Sequence, residues 1–167
     1  MEEMGRRLLV TVLTLVLLGS IIAAQASSPQ LSVERTVEVG KYGLVTVKDR
    51  ISGHGGSAFT FLVTPEDVED VVSYYVSGAS FNVARRGDGS LAIELRPTSE
   101  VVEVSYTLRS KVEQRAADSY TLRLVDVPVI EGASYSANVT VRLPVDSSFS
   151  SAPTGYVSVD NVAHKFF

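Results

Sequence analysis

The chain has 167 residues, 15 basic against 19 acidic side chains, a net charge of −4 and no cysteine. A nucleic-acid surface needs a clustered positive field, and here Lys and Arg stand singly apart from Arg85-Arg86, so a nucleic-acid partner is not expected. Without cysteine there is no thiolate catalysis, iron–sulfur cluster or thiolate zinc site, and stability must come from apolar burial and backbone pairing.

Arg6 and Arg7, the apolar run Leu8 to Ala24 and the small residues of Ala24-Gln25-Ala26 have the form of an export signal, with cleavage expected after Ala26. An uncleaved membrane anchor is the alternative, since the run is at the short end of what spans a bilayer. In either case the chain from Ser27 onward is expected outside the cytoplasm: secreted, on the cell surface or in a lumen. Membrane contact is then expected only through an uncleaved signal or a membrane-bound partner.

After Ser27, short runs rich in Val, Thr, Tyr, Phe and Leu alternate with Gly, Pro, Ser and Asp, the pattern of a β protein. Val33, Val37 and Val39 share one face of a strand with Glu34, Thr36 and Glu38 opposite, and Arg35 interrupts the apolar row. Leu44 to Ile51 reads as a second strand. Ser57 to Val63, nearly all apolar, reads as a central strand, with the core at Phe59, Phe61 and Val63. Thr64-Pro65-Glu66-Asp67 combines a cap, a first-turn proline and two carboxylates, so a short helical turn is predicted there. A strand over Val71 to Val76 ends at Ser77-Gly78. Phe81 to Arg85 and Leu91 to Leu95 form a hairpin around Asp88-Gly89, where glycine supplies a positive φ.

Val102, Val104, Tyr106 and Leu108 alternate with polar residues in a long strand, and Lys111 to Asp118 reads as a polar connection. Tyr120, Leu122 and Leu124 lead a strand that stops near Pro128. Ala137, Val139, Val141 and Leu143 oppose Asn138, Thr140 and Arg142 in another. Eight or nine strands of this spacing, with no long helices between them, predict an all-β fold: an antiparallel two-sheet sandwich of immunoglobulin or fibronectin type over residues 27–146. Residues 147–167 read as a Ser- and Pro-rich linker and the start of a further strand or C-terminal tail.

Candidate sites are few, and no cofactor or metal is expected. His54, in Gly53-His54-Gly55-Gly56-Ser57, resembles the oxyanion loop of lipase-like hydrolases, but no Gly-x-Ser-x-Gly elbow accompanies it, and a hairpin loop is the simpler reading. His54 and His164 lack zinc-ligand spacing. Glu66, Asp67, Glu69 and Asp70 are dense enough for calcium but lack its loop pattern, so complementing a helix N-terminus explains them better. Arg86-Gly87-Asp88 spells an adhesive tripeptide at a hairpin tip whose residues turn geometry already demands. Asn138-Val139-Thr140 is a glycosylation acceptor, with Asn138 on the polar face of its strand. Tyrosines such as Tyr74, Tyr75, Tyr106, Tyr120 and Tyr135 are expected mostly in the core and at sheet margins rather than on a binding platform.

The run Val33-Glu34-Arg35-Thr36-Val37-Glu38-Val39, the stretch Phe59 to Asp67 ending in a proline and an acidic turn, and Val139-Thr140-Val141-Arg142-Leu143 resemble, in that order, the luminal β-rich region of ribophorin I. The resemblance covers Leu31 to Phe149. It implies a non-catalytic subunit that assists protein N-glycosylation or holds substrate near the enzyme.

The sequence therefore points to an exported, non-enzymatic module of protein–protein interaction or assembly at the cell surface. Its protein partner, or a second copy of itself, is expected to add to a sheet edge, with Val33 to Val39 or Val139 to Leu143 as the edges. A carbohydrate-binding module, marked by coplanar exposed aromatics, is the rival from another class. A hydrolase built on His54 is a third reading.

Overall fold

The computed structural model describes residues 30–40, 42–117, 119–123, 128–150, 157–159 and 161–166. The export segment and its cleavage position at Ala26 lie outside the described residues. Among those described the fold is all-β, with one helical turn and no helix long and apolar enough to cross a membrane.

Strand β1 (Gln30–Val39) pairs antiparallel with β2 (Val45–Ser52), and buried residues alternate with exposed ones along both, as the period of a half-covered sheet requires. Arg35, in β1's apolar row, is buried like its neighbours Val33 and Val37. The central strand of the smaller sheet, β3 (Phe59–Val63), buries Phe59, Phe61 and Val63 as expected. The helical turn α1 (Pro65–Val68) follows with proline in its first turn; Thr64 caps it through its carbonyl, which accepts from the N–H groups of Asp67 and Val68, and not through its side chain.

The next four strands are one long hairpin folded across two sheets. β4 (Val71–Ser77) pairs with β7 (Val102–Leu108), and β5 (Ala79–Arg85) pairs with β6 (Leu91–Pro97). At the tip, Gly89 N–H bonds the Arg86 carbonyl and Gly89 takes φ 90°, a turn closed by a left-handed glycine. The bend lies at Gly78, whose carbonyl accepts N–H bonds from Thr98 and Ser99 on the returning limb. Glycine is required there: φ is 74°, and a Cβ would collide with the Val101 carbonyl.

Residues 111–118, expected as a polar connection, contain instead β8 (Val112–Ala116), which pairs with β9 (Ser119–Leu122) in a separate ribbon. Propensity missed it because Glu113, Gln114 and Arg115 give an exposed ribbon no apolar alternation to read. β10 (Val129–Glu131) joins β3, and β11 (Ser134–Arg142) follows. The tail, expected as a linker and an incomplete strand, forms β12 (Val157–Val159) and β13 (Val162–Phe166), and β13 pairs with β11.

Among the described residues the large sheet has seven strands in the order β12-β13-β11-β1-β2-β7-β4, and the small sheet four in the order β10-β3-β6-β5. Inward residues of both form one core, from Leu31, Val37, Val47, Ile51, Val104 and Val139 on one side to Phe61, Ile93, Leu95 and Ile130 on the other. Pairing is antiparallel except between β1 and β11, which run parallel over Gln30–Glu38 and Ser134–Arg142. That parallel ladder departs from the wholly antiparallel expectation, and tertiary contact alone decides it, because no tight turn can join parallel neighbours.

The two strands expected to be free edges are both interior: β1 lies between β11 and β2, and β11 between β13 and β1. An added partner strand at Val33 to Val39 or Val139 to Leu143 is thereby ruled out, since both rows of backbone groups are already paired. The outer strands of the large sheet are β12 and β4; those of the small sheet are β10 and β5.

Candidate interaction surface

The chain leaves its apolar side chains open where β4 and β5 meet. Register fixes which way each residue faces: Tyr74 lies opposite Tyr106 and Val76 opposite Val104, so both are on the core side of the large sheet. Phe81 lies opposite Leu95, on the core side of the small sheet. Each strand is outermost in its sheet, so among the described residues no further strand pairs beyond it. Val72, Tyr74, Tyr75 and Phe81 are 59%, 47%, 61% and 46% exposed, and the Tyr74 and Phe81 rings meet edge to face with centroids 6.5 Å apart. The core thus continues outward to an uncovered aromatic pair. Tyr75, opposite Ser105, stands on the outer face of the same edge.

The composition of β4 sharpens the point. Exposed edges of soluble proteins are usually blunted by lysine, proline or inward charge, yet β4 reads Val-Val-Ser-Tyr-Tyr-Val-Ser with none of these. Its one protective device is a register shift between Val71 and Ser73, leaving Ser73 to Ser77 as regular edge.

The residues singled out from sequence fall elsewhere. His54 is buried and stacked against Phe59; its Nδ1 accepts the Gly56 N–H at 3.0 Å, which places the neutral ring's proton on Nε2, a buried atom with no hydrogen-bond partner. No serine or carboxylate is bonded to it among the described residues, so the hydrolase arrangement is not assembled. His164 occupies a position in β13 in register with Thr140. No cluster of three metal-binding side chains occurs among the described residues.

The acidic cluster has an internal cation. Lys111 Nζ lies 2.5 Å from Asp67 Oδ1 and 3.2 Å from Asp70 Oδ2, and it donates to the Glu66 carbonyl at 3.2 Å. Burial by itself lowers the affinity of the Lys111 ammonium for its proton, but Asp67 and Asp70 outweigh it and hold it above its ordinary value. Asp67, read from sequence as a helix-end charge, is instead buried and turned to Lys111. An ammonium thus stands against the carboxylates that a calcium reading would have used.

The Arg86-Gly87-Asp88 tip is turned onto its own protein. Arg86 makes a bidentate pair with Glu131 at 2.8 and 2.6 Å, and Asp88 Oδ1 accepts the hydroxyl and N–H of Ser90 at 2.7 and 2.9 Å. These bonds pull the Glu131 and Asp88 carboxyls below their ordinary range. Asn138 lies on the outer face of an interior strand, half-buried, with its Oδ1 buried and unpaired. Of the tyrosines, Tyr106 is in the core and Tyr74 and Tyr75 are at a sheet margin, as expected, but most remain open to solvent. Tyr42, Tyr74, Tyr75 and Tyr120 are exposed, Tyr135 is half-buried, and Tyr106 alone among those described is buried. Alternation could not show this, because the strands carrying Tyr74, Tyr75 and Tyr120 lack a covering neighbour.

The buried ionic group that sequence showed only as a broken apolar row is Arg35. Its Nε and Nη2 donate to Asp49 Oδ1 and Oδ2 at 2.8 and 2.9 Å, and Nη2 reaches Tyr106 Oη at 3.4 Å. Arg35 and Asp49 are 1% and 0% exposed. Asp49 is directly across from Arg35 in the β1–β2 ladder, so register alone brings the charges together.

No family model and no curated protein matches the sequence. Among solved structures, it is similar to yeast LTA4 hydrolase in complex with bestatin, at 8% identity over 84% of this chain and 26% of that one, with a TM-score of 0.39. It is also similar to an aminopeptidase N family protein from Idiomarina loihiensis, at 12% identity, 81% and 29% coverage and a TM-score of 0.41. An M1 zinc metallopeptidase from Deinococcus radiodurans aligns at 14% identity, 84% and 38% coverage and a TM-score of 0.32. The chain spans well under half the length of each.

Proposed function

We propose that this chain is an exported, non-enzymatic β module that binds a protein partner at the cell surface through the β4–β5 corner. Its body is read as a two-sheet sandwich, set apart from immunoglobulin and fibronectin arrangements by the parallel β1–β11 ladder. The observation that carries the reading is the exposed apolar group Val72, Tyr74, Tyr75 and Phe81 on two adjoining outer strands. Large apolar side chains left exposed along adjoining outer strands mark interaction sites, and tyrosine offers contact area with little side-chain entropy to lose. A glycan platform is less well supported, because the Tyr74 and Phe81 rings stand at 84° to each other and Tyr75 is on the opposite face of its strand. The accessory role in N-glycosylation implied by the ribophorin I resemblance would use the same corner.

The test is affinity capture of the tagged chain from envelope extract, run beside Tyr75→Lys. Proteins recovered with the wild type and reduced at least about tenfold by the variant support the reading. Equal recovery with both, or binding to glycans alone, overturns it. Recovery of oligosaccharyltransferase subunits would select the ribophorin-like role.

A further inference from the structure

The corner's occupant can be specified from β4 itself, given that the corner is an interaction surface. We propose that it is a second copy of this chain, paired antiparallel along β4 about a two-fold axis at Tyr75, which joins the two large sheets into one.

Three observations support that occupant. The outer edge of β4 has no strand beside it among the described residues, so its backbone donors and acceptors there are open to solvent and available to an added strand. The regular part of that edge, Ser73-Tyr74-Tyr75-Val76-Ser77, is self-complementary in the antiparallel sense. An axis at Tyr75 sets Ser73 opposite Ser77 and Tyr74 opposite Val76 of the second copy, and Tyr75 opposite its own equivalent.

Opposed residues in an antiparallel pair share a face, and this register respects the faces already set by β7. Tyr74 and Val76 are both on the core side, where they make an aromatic–β-branched pair, while Ser73, Tyr75 and Ser77 are all on the outer side. An axis at Tyr74 would draw the irregular Val72 into the pair, and an axis at Val76 would set Tyr74 opposite Gly78 at the bend, so Tyr75 is the centre that keeps the pairing within the regular edge. Charge raises no barrier. β4 carries none, so its pairing with a second copy brings no like charges into opposition. A two-fold interface of this kind is isologous and closes at two copies, so the pairing ends at a dimer.

The chain has no cysteine, so a single introduced thiol can form a disulfide only between copies. The chain is recovered from the extracytoplasmic fraction of an export-competent host and examined by sedimentation from about 1 to 200 µM, the range in which a small interface dissociates. The wild type should pass from monomer to dimer with no larger species. Tyr75→Lys, which sets two ammonium groups directly opposite each other, should weaken the dimer at least about tenfold while its circular dichroism is unchanged. Under mild oxidation Tyr75→Cys should become mostly covalent dimer, whereas Ser80→Cys on β5 should not.

A wild type that stays monomeric throughout overturns the proposal without any variant. So does a dimer that Tyr75→Lys leaves intact, or one that Ser80→Cys traps as well as Tyr75→Cys. A monomeric wild type that still captures another protein, with loss in Tyr75→Lys, would refute self-pairing and leave the interaction surface standing.

Discussion

Replacing Asp49 by alanine tests the physical account of the core most directly. The substitution removes the Asp49 carboxylate from the Arg35 guanidinium, which is 1% exposed. In the wild type, burial alone would lower its proton affinity, but the attraction of Asp49 outweighs it and holds it above the ordinary value; without Asp49 the guanidinium still stays charged, because arginine does not deprotonate in proteins. Two charge-assisted bonds, at 2.8 and 2.9 Å, are lost together. At about 1.5–3 kcal/mol for each bond to a charged group, the loss is roughly 3–6 kcal/mol, in line with the 3–5 kcal/mol typical of a broken buried pair. Tyr106 Oη, at 3.4 Å and uncharged, is a poor substitute. For a domain of this size the melting temperature should fall by roughly 10–15 °C.

Urea and thermal unfolding followed by circular dichroism measure the effect. Because the pair is shielded from solvent, the difference from wild type should persist in about 0.5 M salt. The double variant Arg35→Met with Asp49→Leu removes both charges and should recover to within about 1 kcal/mol of wild type or exceed it. A cost below about 1 kcal/mol for Asp49→Ala would refute the reasoning, as would a double variant no better than the single one.

Lys111→Met should cost about 2–4 kcal/mol in urea unfolding, because Asp67 is left buried without its cation, and adding Asp67→Asn should restore part of that. Gly78→Ala meets both a left-handed φ of 74° and the Val101 carbonyl, so a loss of more than about 2 kcal/mol is expected, detectable as a lowered melting temperature or lost expression. Burial raises the Tyr106 phenol well above its ordinary value, against the opposing pull of Arg35. The folded state therefore keeps a proton that the unfolded chain releases above pH ~10, and the associated stability is lost as pH rises from there. Lys111, also raised, acts in the same direction. Tyr106→Phe should accordingly flatten, without abolishing, the alkaline fall in melting temperature.

Much of the fold was legible in the sequence for a simple reason: a strand with one covered face must alternate. Val33 to Val39, Val102 to Leu108 and Ala137 to Val141 announced themselves, as did the Asp88-Gly89 turn and the proline-led helical turn. The strand β8, expected as a polar connection, and the short strand β10 were not legible. Glu113, Gln114 and Arg115 give β8 no apolar period beyond Val112, which packs against the core, and a run of three residues is too short to show one. The candidate surface was only half legible. Tyr74 and Tyr75 stood out as residues, but alternation says only that neighbours point opposite ways, and exposure depends on whether another strand lies alongside.

Local pattern by itself determined the strands with one covered face, their inward rows and the lack of thiol chemistry, because each depends on residue types within a few positions. Only tertiary structure decided sheet order. It made β1 and β11 interior by a parallel ladder between chain ends, left β4 and β5 outermost, and turned Arg35 from an interruption into half of an ion pair with Asp49. Those outcomes join residues far apart in the chain, and the free energy that selects them comes from surfaces and charges that meet only when the sheets close.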